Sequence, residues 1–237
     1  MYTYETVVGY SKTKGGQVPI YDIMNYLQDC STFQSEHLGR GIEYAKNKGK
    51  AWVLIAYEIQ LLKPLKMGDR ITVGTAPTGF QTVLGDRQFF IKDEAGEFAV
   101  QASTLWGMMD LKERIPIRFT EEDVEGFVPE KLFDMKPVNR RMKLSEKKEK
   151  KDPMFVLKTY IDSNGHMNNA DYLRAATELI PEDFTWNHLK IVYKKEAREG
   201  EKMIPYIHQE EDGMGISFQN EAGEDLALIH LSEKNQD

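Results

Sequence analysis

The chain has a single cysteine, Cys30, among its 237 residues. One thiol excludes an internal disulfide, which suits a protein of a reducing compartment. No apolar run approaches the roughly 18 residues that a membrane-spanning helix needs. The first residues also lack the basic start and the apolar run of a signal peptide. These absences predict a cytoplasmic protein without a membrane partner.

An excess of positive charge is also missing. The sequence has 31 lysine and arginine residues against 38 aspartate and glutamate residues, for a net charge of −7. This balance argues against nucleic acid as the main partner. The sequence contains neither a phosphate-binding loop nor a cluster of metal ligands, and we therefore expect no cofactor and no metal.

One stretch, residues 160–169, concentrates polar groups: one carboxylate, one imidazole, three carboxamides and a glycine. A helical pattern follows it, with apolar residues from Tyr172 to Ile180. Polar groups therefore lie at a helix N-terminus, where backbone N–H groups and the helix dipole favour negative charge. Such an arrangement stabilises an oxyanion beside a base. A plain turn with a helix cap at Asn168 is the alternative, and it accounts for fewer of these residues.

The rest of the chain predicts helices and antiparallel strands. In the first half we expect a strand at 2–10, a helix from Ile20 to Leu38, and strands at 52–62, 70–77, 83–92 and 97–109. In the second half we expect a strand at 155–160, a helix to Ile180, and strands at 184–197, 203–209, 215–219 and 226–232. The short connections exclude parallel crossovers.

The two halves repeat each other. Residues 93–97, Asp-Glu-Ala-Gly-Glu, match residues 220–224, Asn-Glu-Ala-Gly-Glu. An internal duplication of a strand–helix–sheet unit is the simplest explanation. We therefore predict an α+β fold with one domain at 1–127, a charged linker at 128–152 and a second domain at 153–237.

A duplicated helix wrapped by an antiparallel sheet resembles the tandem, or double, hot-dog fold. The stretch at 162–169 resembles the Asp-x-Asn-x-His-x-Asn-Asn motif of the acyl-ACP thioesterases, the plant plastid enzymes and their bacterial relatives. Residues 193–197, Tyr-Lys-Lys-Glu-Ala, resemble the family's Tyr-Arg-Arg-Glu-Cys segment. The resemblance implies an enzyme that hydrolyses the thioester of acyl-[acyl-carrier-protein], releases a free fatty acid and terminates fatty acid synthesis.

The resemblance also implies the residues of the site. The catalytic set would be Asp162, Asn164, His166 and Glu196, and the substrate-binding set Asn168 and Asn169. We expect the two carboxylates to flank the thioester, one activating water and the other orienting it. The sequence leaves open which one is the base, and it leaves direct attack by a carboxylate open too.

The smaller groups have expected roles as well. The carboxamide of Asn164 would hold the water or the carbonyl, and His166 would orient a carboxylate or carry the thiol proton. Backbone N–H groups near Asn168 and Asn169 would bind the oxyanion. A cysteine nucleophile is excluded at position 197, because Ala197 stands where the family has its cysteine.

The expected partner is acyl carrier protein, which is acidic. Residues 140–152 hold seven lysine and arginine residues against three acidic ones, a net charge of +4. A basic surface of this kind steers an acidic partner, although a solvated linker is an equally simple interpretation. A homodimer is possible, because exposed edge strands of such folds commonly pair.

The acyl chain would lie in the N-terminal half, along the first helix and its sheet. Candidate lining residues, each of which is also a plain core candidate, are Ile20, Ile23, Met24, Leu27, Val53 and Ile55.

Two further functions fit the same fold. One is an acyl-CoA thioesterase, which rates on matched CoA and ACP esters would distinguish. The other is a non-catalytic acyl-binding module, and the combination of Asp162, Asn164, His166 and Glu196 argues against it. A hot-dog dehydratase fits less well, because the segment around His166 looks more like the thioesterases.

Overall fold

The computed structural model describes residues 1–234, which form two compact units that divide between Asn139 and Arg140. Within residues 1–234, no helix is long and apolar enough to cross a membrane.

The N-terminal unit contains a long helix and five antiparallel strands. Its elements are β1 (Tyr2–Val7), α1 (Ile20–His37), α2 (Ile42–Lys48), β2 (Lys50–Leu61), β3 (Arg70–Gln81), β4 (Leu84–Lys92), β5 (Phe98–Asp110) and α3 (Glu121–Val124). The strands pair in the order β1-β3-β4-β5-β2, always antiparallel. This arrangement confirms the expected α+β class, with an antiparallel sheet against a helix.

Helix α1 buries one apolar side against the sheet. Ile23, Met24, Leu27 and Cys30 are all buried. Burial raises the pKa of the Cys30 thiol to about 12, and the Sγ atom lies 3.6 Å from the carbonyl oxygen of Val73. Because thiolates and not thiols are nucleophilic, this cysteine is an inert core residue.

The register of β2 corrects part of the candidate pocket lining. Arg87 donates to the side chain of Gln34 on α1, so its face of the sheet is the helix face. Arg87 pairs with Thr104 and Thr104 with Tyr57, and cross-strand partners share a face. Val53 pairs with Gly107, three residues from Thr104, and therefore points to the opposite face.

Ile55 lies on that opposite face too. Its side chain would contact a Cβ atom built on Gly107, and a β-bulge between Leu54 and Ala56 sets its direction. The expectation that Val53 and Ile55 line a pocket along α1 was wrong, because period-2 alternation does not reveal a bulge. The α1 candidates Ile20, Ile23, Met24 and Leu27 are buried as expected.

The C-terminal unit is smaller. Its elements are β6 (Lys148–Lys150), β7 (Met154–Phe155), α4 (Asn169–Thr177), β8 (His188–Tyr193), β9 (Lys202–Gln209), β10 (Gly213–Gln219) and β11 (Asp225–Ser232). The strands β8-β11-β10-β9 pair in that order, and both β6 and β7 pair with β9. A short helix thus accompanies a second antiparallel sheet.

Three sequence expectations for this unit were wrong. Of the strand expected at 155–160, only Phe155 lies in a strand, β7, and Lys158–Tyr160 form a 3-10 turn. Helix α4 ends at Thr177 instead of Ile180, and Thr177 Oγ1 donates to the carbonyl of Arg174 in the last turn. Strand β8 ends at Tyr193 instead of Ala197, because the chain leaves the sheet there to meet the loop before α4.

A buried carboxylate joins three elements of the N-terminal unit. Asp123 is only 2% exposed, and burial by itself would raise its pKa. The carboxylate accepts hydrogen bonds from Lys50 Nζ at 2.6 Å, the Thr120 backbone N–H at 2.6 Å and the Tyr44 hydroxyl at 2.8 Å. These donors outweigh burial and lower the pKa of Asp123 to about 2.

We expect Asp123→Asn to lower the free energy of unfolding by about 2 kcal/mol at pH 7. A depressed pKa stabilises the fold above the unfolded value, near 3.9, and this contribution disappears as the pH falls towards 2. Urea unfolding across that range measures the difference between wild type and variant. Glu122→Gln, in an exposed ion pair with Lys48, is the control and should cost less than about 0.5 kcal/mol. A pH-independent gap would contradict the prediction.

Candidate active site

The loop before α4 folds around Asp162. Its Oδ1 atom accepts the Asn164 backbone N–H at 2.7 Å, and its Oδ2 atom accepts from the Asn164 carboxamide at 3.2 Å. The Gly165 N–H donates to the carbonyl of Asp162, and the Asp162 N–H donates to the carbonyl of His166. Gly165 has a φ of +80°, a conformation that glycine adopts without strain. The turn chemistry seen in the sequence is therefore present.

Asn168 caps the helix. Its Oδ1 atom accepts the Ala170 N–H at 2.9 Å, the bond that defines an N-cap. The Asn168 N–H itself donates to the carbonyl of Tyr160 at 2.8 Å. This N–H is therefore already used within the protein, and the geometry supports a cap more directly than a substrate contact.

A contact between a histidine and a carboxylate forms beside this loop. His166 Nε2 lies 3.1 Å from Glu196 Oε2, with the two side chains 16% and 40% exposed. Neither the turn nor the cap requires this contact. An imidazole that shares a hydrogen bond with a partly exposed carboxylate is suited to accept and carry protons.

The backbone brings the two halves of the pair together. The Met167 N–H donates to the carbonyl of Ala197 at 2.9 Å. These two residues directly follow His166 and Glu196 in the chain. Ala197 is fully buried, so a thiol placed there would be enclosed by its neighbours.

The predicted catalytic residues thus form two pairs, one within the loop before α4 and one between this loop and the segment after β8. Asp162 holds Asn164, and His166 contacts Glu196. The bond from the Asp162 N–H to the His166 carbonyl links the pairs through the backbone. Asn169 begins helix α4, and its carbonyl accepts a hydrogen bond from the Tyr193 hydroxyl at 3.0 Å.

Two tyrosines next to this loop, Tyr172 and Tyr193, were given no role by the sequence reasoning. The rings of Tyr172 and Tyr193 meet edge to face with centroids 5.7 Å apart. Burial raises the pKa of both phenols well above the ordinary value. Their positions on an apolar helix stripe and an apolar strand indicate only core packing, and no sequence signal shows where a hydroxyl group finds its partner.

The part of the chain that the structure describes contains no group of three or more histidine, cysteine, aspartate or glutamate residues arranged to hold a metal ion.

Family models match most of the chain. The acyl-ACP thioesterase N-terminal domain matches residues 1–127, and the acyl-ACP thioesterase C-terminal domain matches residues 144–233. No protein with a curated description matches this chain.

Two solved structures share the fold over nearly the whole chain. An acyl-ACP thioesterase from Bacteroides thetaiotaomicron superimposes with a TM-score of 0.88 at 19% identity, covering 97% of this chain and 96% of that one. The 12:0-ACP thioesterase from Umbellularia californica gives a TM-score of 0.84 at 13% identity, covering 99% and 97%. These likenesses establish the tandem hot-dog fold.

Fold and family models together define a thioester hydrolase. The chain belongs to the acyl-ACP thioesterase family, whose reaction is hydrolysis of the acyl-ACP thioester.

The cap can be separated from catalysis by two substitutions at one position. We expect Asn168→Asp to keep the stability of the protein, because aspartate caps a helix as well as asparagine does. Asn168→Ala should lower the free energy of unfolding by about 1 kcal/mol. Thermal and urea unfolding measure both. A stable Asn168→Asp variant with greatly reduced turnover would show that position 168 also affects the reaction, either by contact with the substrate or because the added negative charge repels the oxyanion.

Proposed function

We propose that the Glu196–His166 pair activates the water that hydrolyses the acyl-ACP thioester. The observation that supports this is the 3.1 Å contact between His166 Nε2 and Glu196 Oε2, on a carboxylate that is 40% exposed. The carboxylate accepts one proton from the attacking water. It passes that proton to the imidazole, which orients the carboxylate and delivers a proton to the departing thiolate. A thiol has a pKa near 8.5, so this leaving group needs little help.

Asp162 and Asn164 have a different part in the proposal. Both oxygens of Asp162 already accept hydrogen bonds from Asn164. Asp162 therefore fixes the Asn164 carboxamide, which holds the water or the carbonyl. The N-terminus of α4, at Asn168 and Asn169, favours the negative charge that develops on the carbonyl oxygen.

The proposed division of the chain follows from this. Residues 1–127 would hold the acyl chain, with α1 along it, residues 128–152 would be the charged linker, and residues 153–237 would carry the catalytic groups. We place the enzyme in the cytoplasm with its carrier substrate. Analytical sedimentation would measure whether the chain forms a homodimer.

Glu196→Gln should lower kcat by about 100- to 10,000-fold, the usual cost of losing a general base. Asp162→Asn keeps a side chain that can still hold Asn164 and should cost less. Thiol release from a defined acyl-ACP measures both. If Asp162→Asn is the more damaging and Glu196→Gln keeps near-normal turnover while folded, the roles of the two carboxylates are reversed. If both variants keep near-normal turnover, neither carboxylate is catalytic.

The carrier surface is proposed at β6. Its residues Lys148, Glu149 and Lys150 are exposed along the edge of the C-terminal sheet. Lys148 Nζ lies 4.2 Å above the ring of Tyr206, and Lys151 pairs with Glu149 at 2.6 Å. The neighbouring basic residues give this linker a net positive charge. We therefore expect it to attract an acidic carrier protein.

Charge reversal at Lys148 and Lys150 should lower kcat/KM for acyl-ACP by about 10-fold at low salt and leave kcat unchanged, because steering acts on association. The effect should shrink as ionic strength rises. Hydrolysis of a short synthetic thioester should not change. The matched control is the double charge reversal at Lys112 and Lys131, two exposed lysines of the N-terminal unit. Equal losses of kcat/KM in the test variant and the control would contradict the proposed docking surface.

An acyl-CoA thioesterase remains the second candidate, because a reaction at the same two pairs needs no carrier protein. Matched acyl-ACP and acyl-CoA esters of several chain lengths distinguish the two.

A further inference from the structure

We propose that Tyr172 is a positioning residue, whose buried hydroxyl holds the backbone on both sides of Glu196 and so keeps this carboxylate against His166. The inference rests on the proposed function, in which Glu196 activates water.

One hydroxyl group contacts the residues before and after Glu196. The Ala197 N–H donates to the Tyr172 hydroxyl oxygen at 3.2 Å. The same hydroxyl donates to the carbonyl of Lys195 at 3.5 Å. Glu196 is therefore the middle residue of a three-residue span that is held at both ends by one side chain.

The span needs such support because it lies outside the sheet. Strand β8 ends at Tyr193. Beyond it, the N–H groups of Lys194 and Lys195 both turn to the carbonyl of Leu226, at 2.8 Å and 3.3 Å. On the far side, the carbonyl of Ala197 receives the Met167 N–H. Tyr172 contacts the span between these two anchors, where no ladder of strand bonds fixes the backbone.

Tyr172 is itself held firmly. It lies in α4, and its ring packs edge to face against Tyr193 and Phe218, with centroids 5.7 Å and 6.3 Å away. Burial raises the pKa of its phenol far above the ordinary value. The group stays protonated at working pH, so it can donate to one peptide and accept from the other at the same time.

The arrangement also ties Glu196 to the loop of its partner. Helix α4 begins directly after the loop that contains His166, so Tyr172 and His166 belong to one continuous segment that is joined by the cap at Asn168. A hydroxyl on α4 that holds the Glu196 span therefore fixes the distance between imidazole and carboxylate. Small displacements at such a pair are expensive for catalysis, because a misplacement near 1 Å can cost about 100-fold in rate.

The test is a double-mutant cycle with Tyr172→Phe, which keeps the ring and removes the hydroxyl. We expect kcat on acyl-ACP to fall by about 10- to 100-fold with KM nearly unchanged. Combined with Glu196→Gln, Tyr172→Phe should cause no further loss, because its effect runs through that carboxylate. A phenylalanine variant with wild-type kcat, or fully additive losses, would overturn the proposal.

The matched control is Tyr193→Phe, which removes the neighbouring buried hydroxyl. Its partner is the carbonyl of Asn169, which the first turn of α4 also fixes. We expect a similar drop in Tm from both tyrosine variants and a drop in kcat only from Tyr172→Phe. Equal kinetic losses would mean that Tyr172 acts through general stability alone.

A second readout does not depend on turnover. The ring Nε2–H proton of His166 should give an NMR signal while it is hydrogen-bonded to Glu196. We expect this signal to shift or broaden in Tyr172→Phe and in Glu196→Gln, and to persist in Tyr193→Phe. If the wild type hydrolyses no thioester, the proposed function fails while this signal still tests the role of Tyr172. An unchanged signal in Tyr172→Phe would overturn that role.

Discussion

The candidate site depends on one backbone hydrogen bond, from the Met167 N–H to the Ala197 carbonyl at 2.9 Å. It joins a loop and a strand exit that are about thirty residues apart in sequence. Without it, nothing in the turn chemistry of Asp162 or the cap at Asn168 would bring His166 to Glu196. Because a buried peptide group must find a partner, this bond is strongly favoured once both segments pack on α4. The geometry of the catalytic pair thus follows from the general need of buried backbone groups to form hydrogen bonds.

The sequence predicted the elements better than their ends. Helix α1 was clear because it has one buried apolar stripe, and strands β2 to β5 were clear because they hold runs of buried residues between turns, such as 88–91 in β4 and 102–105 in β5. Only Phe155 of the strand expected over 155–160 lies in a strand, and β8 ended early at Tyr193. Both errors lie where the chain leaves the sheet to build the site. At both places tertiary hydrogen bonds decide the backbone, and a sequence pattern does not show them.

The site itself was half visible in the sequence. The stretch from Asp162 to Asn169 indicated a helix that begins with polar residues. Glu196 was identified only through the family resemblance. No local pattern could show that Glu196 meets His166, since their contact depends on long-range packing. The same reason hid the role of the Tyr172 hydroxyl and the bulge that turns Ile55 to the other face. A single sequence does not show which side chains become partners when distant segments pack together.

The short span around Glu196 has a consequence for how the enzyme fails. It lies between the end of β8 and the turn before β9, has exposed charged neighbours, and is held by single hydrogen bonds instead of a strand ladder. Such segments open locally at a lower free energy than the sheets beside them. Warming would therefore abolish turnover by releasing this span while the secondary structure is intact. Cooling would restore activity at once, because neither sheet has to refold.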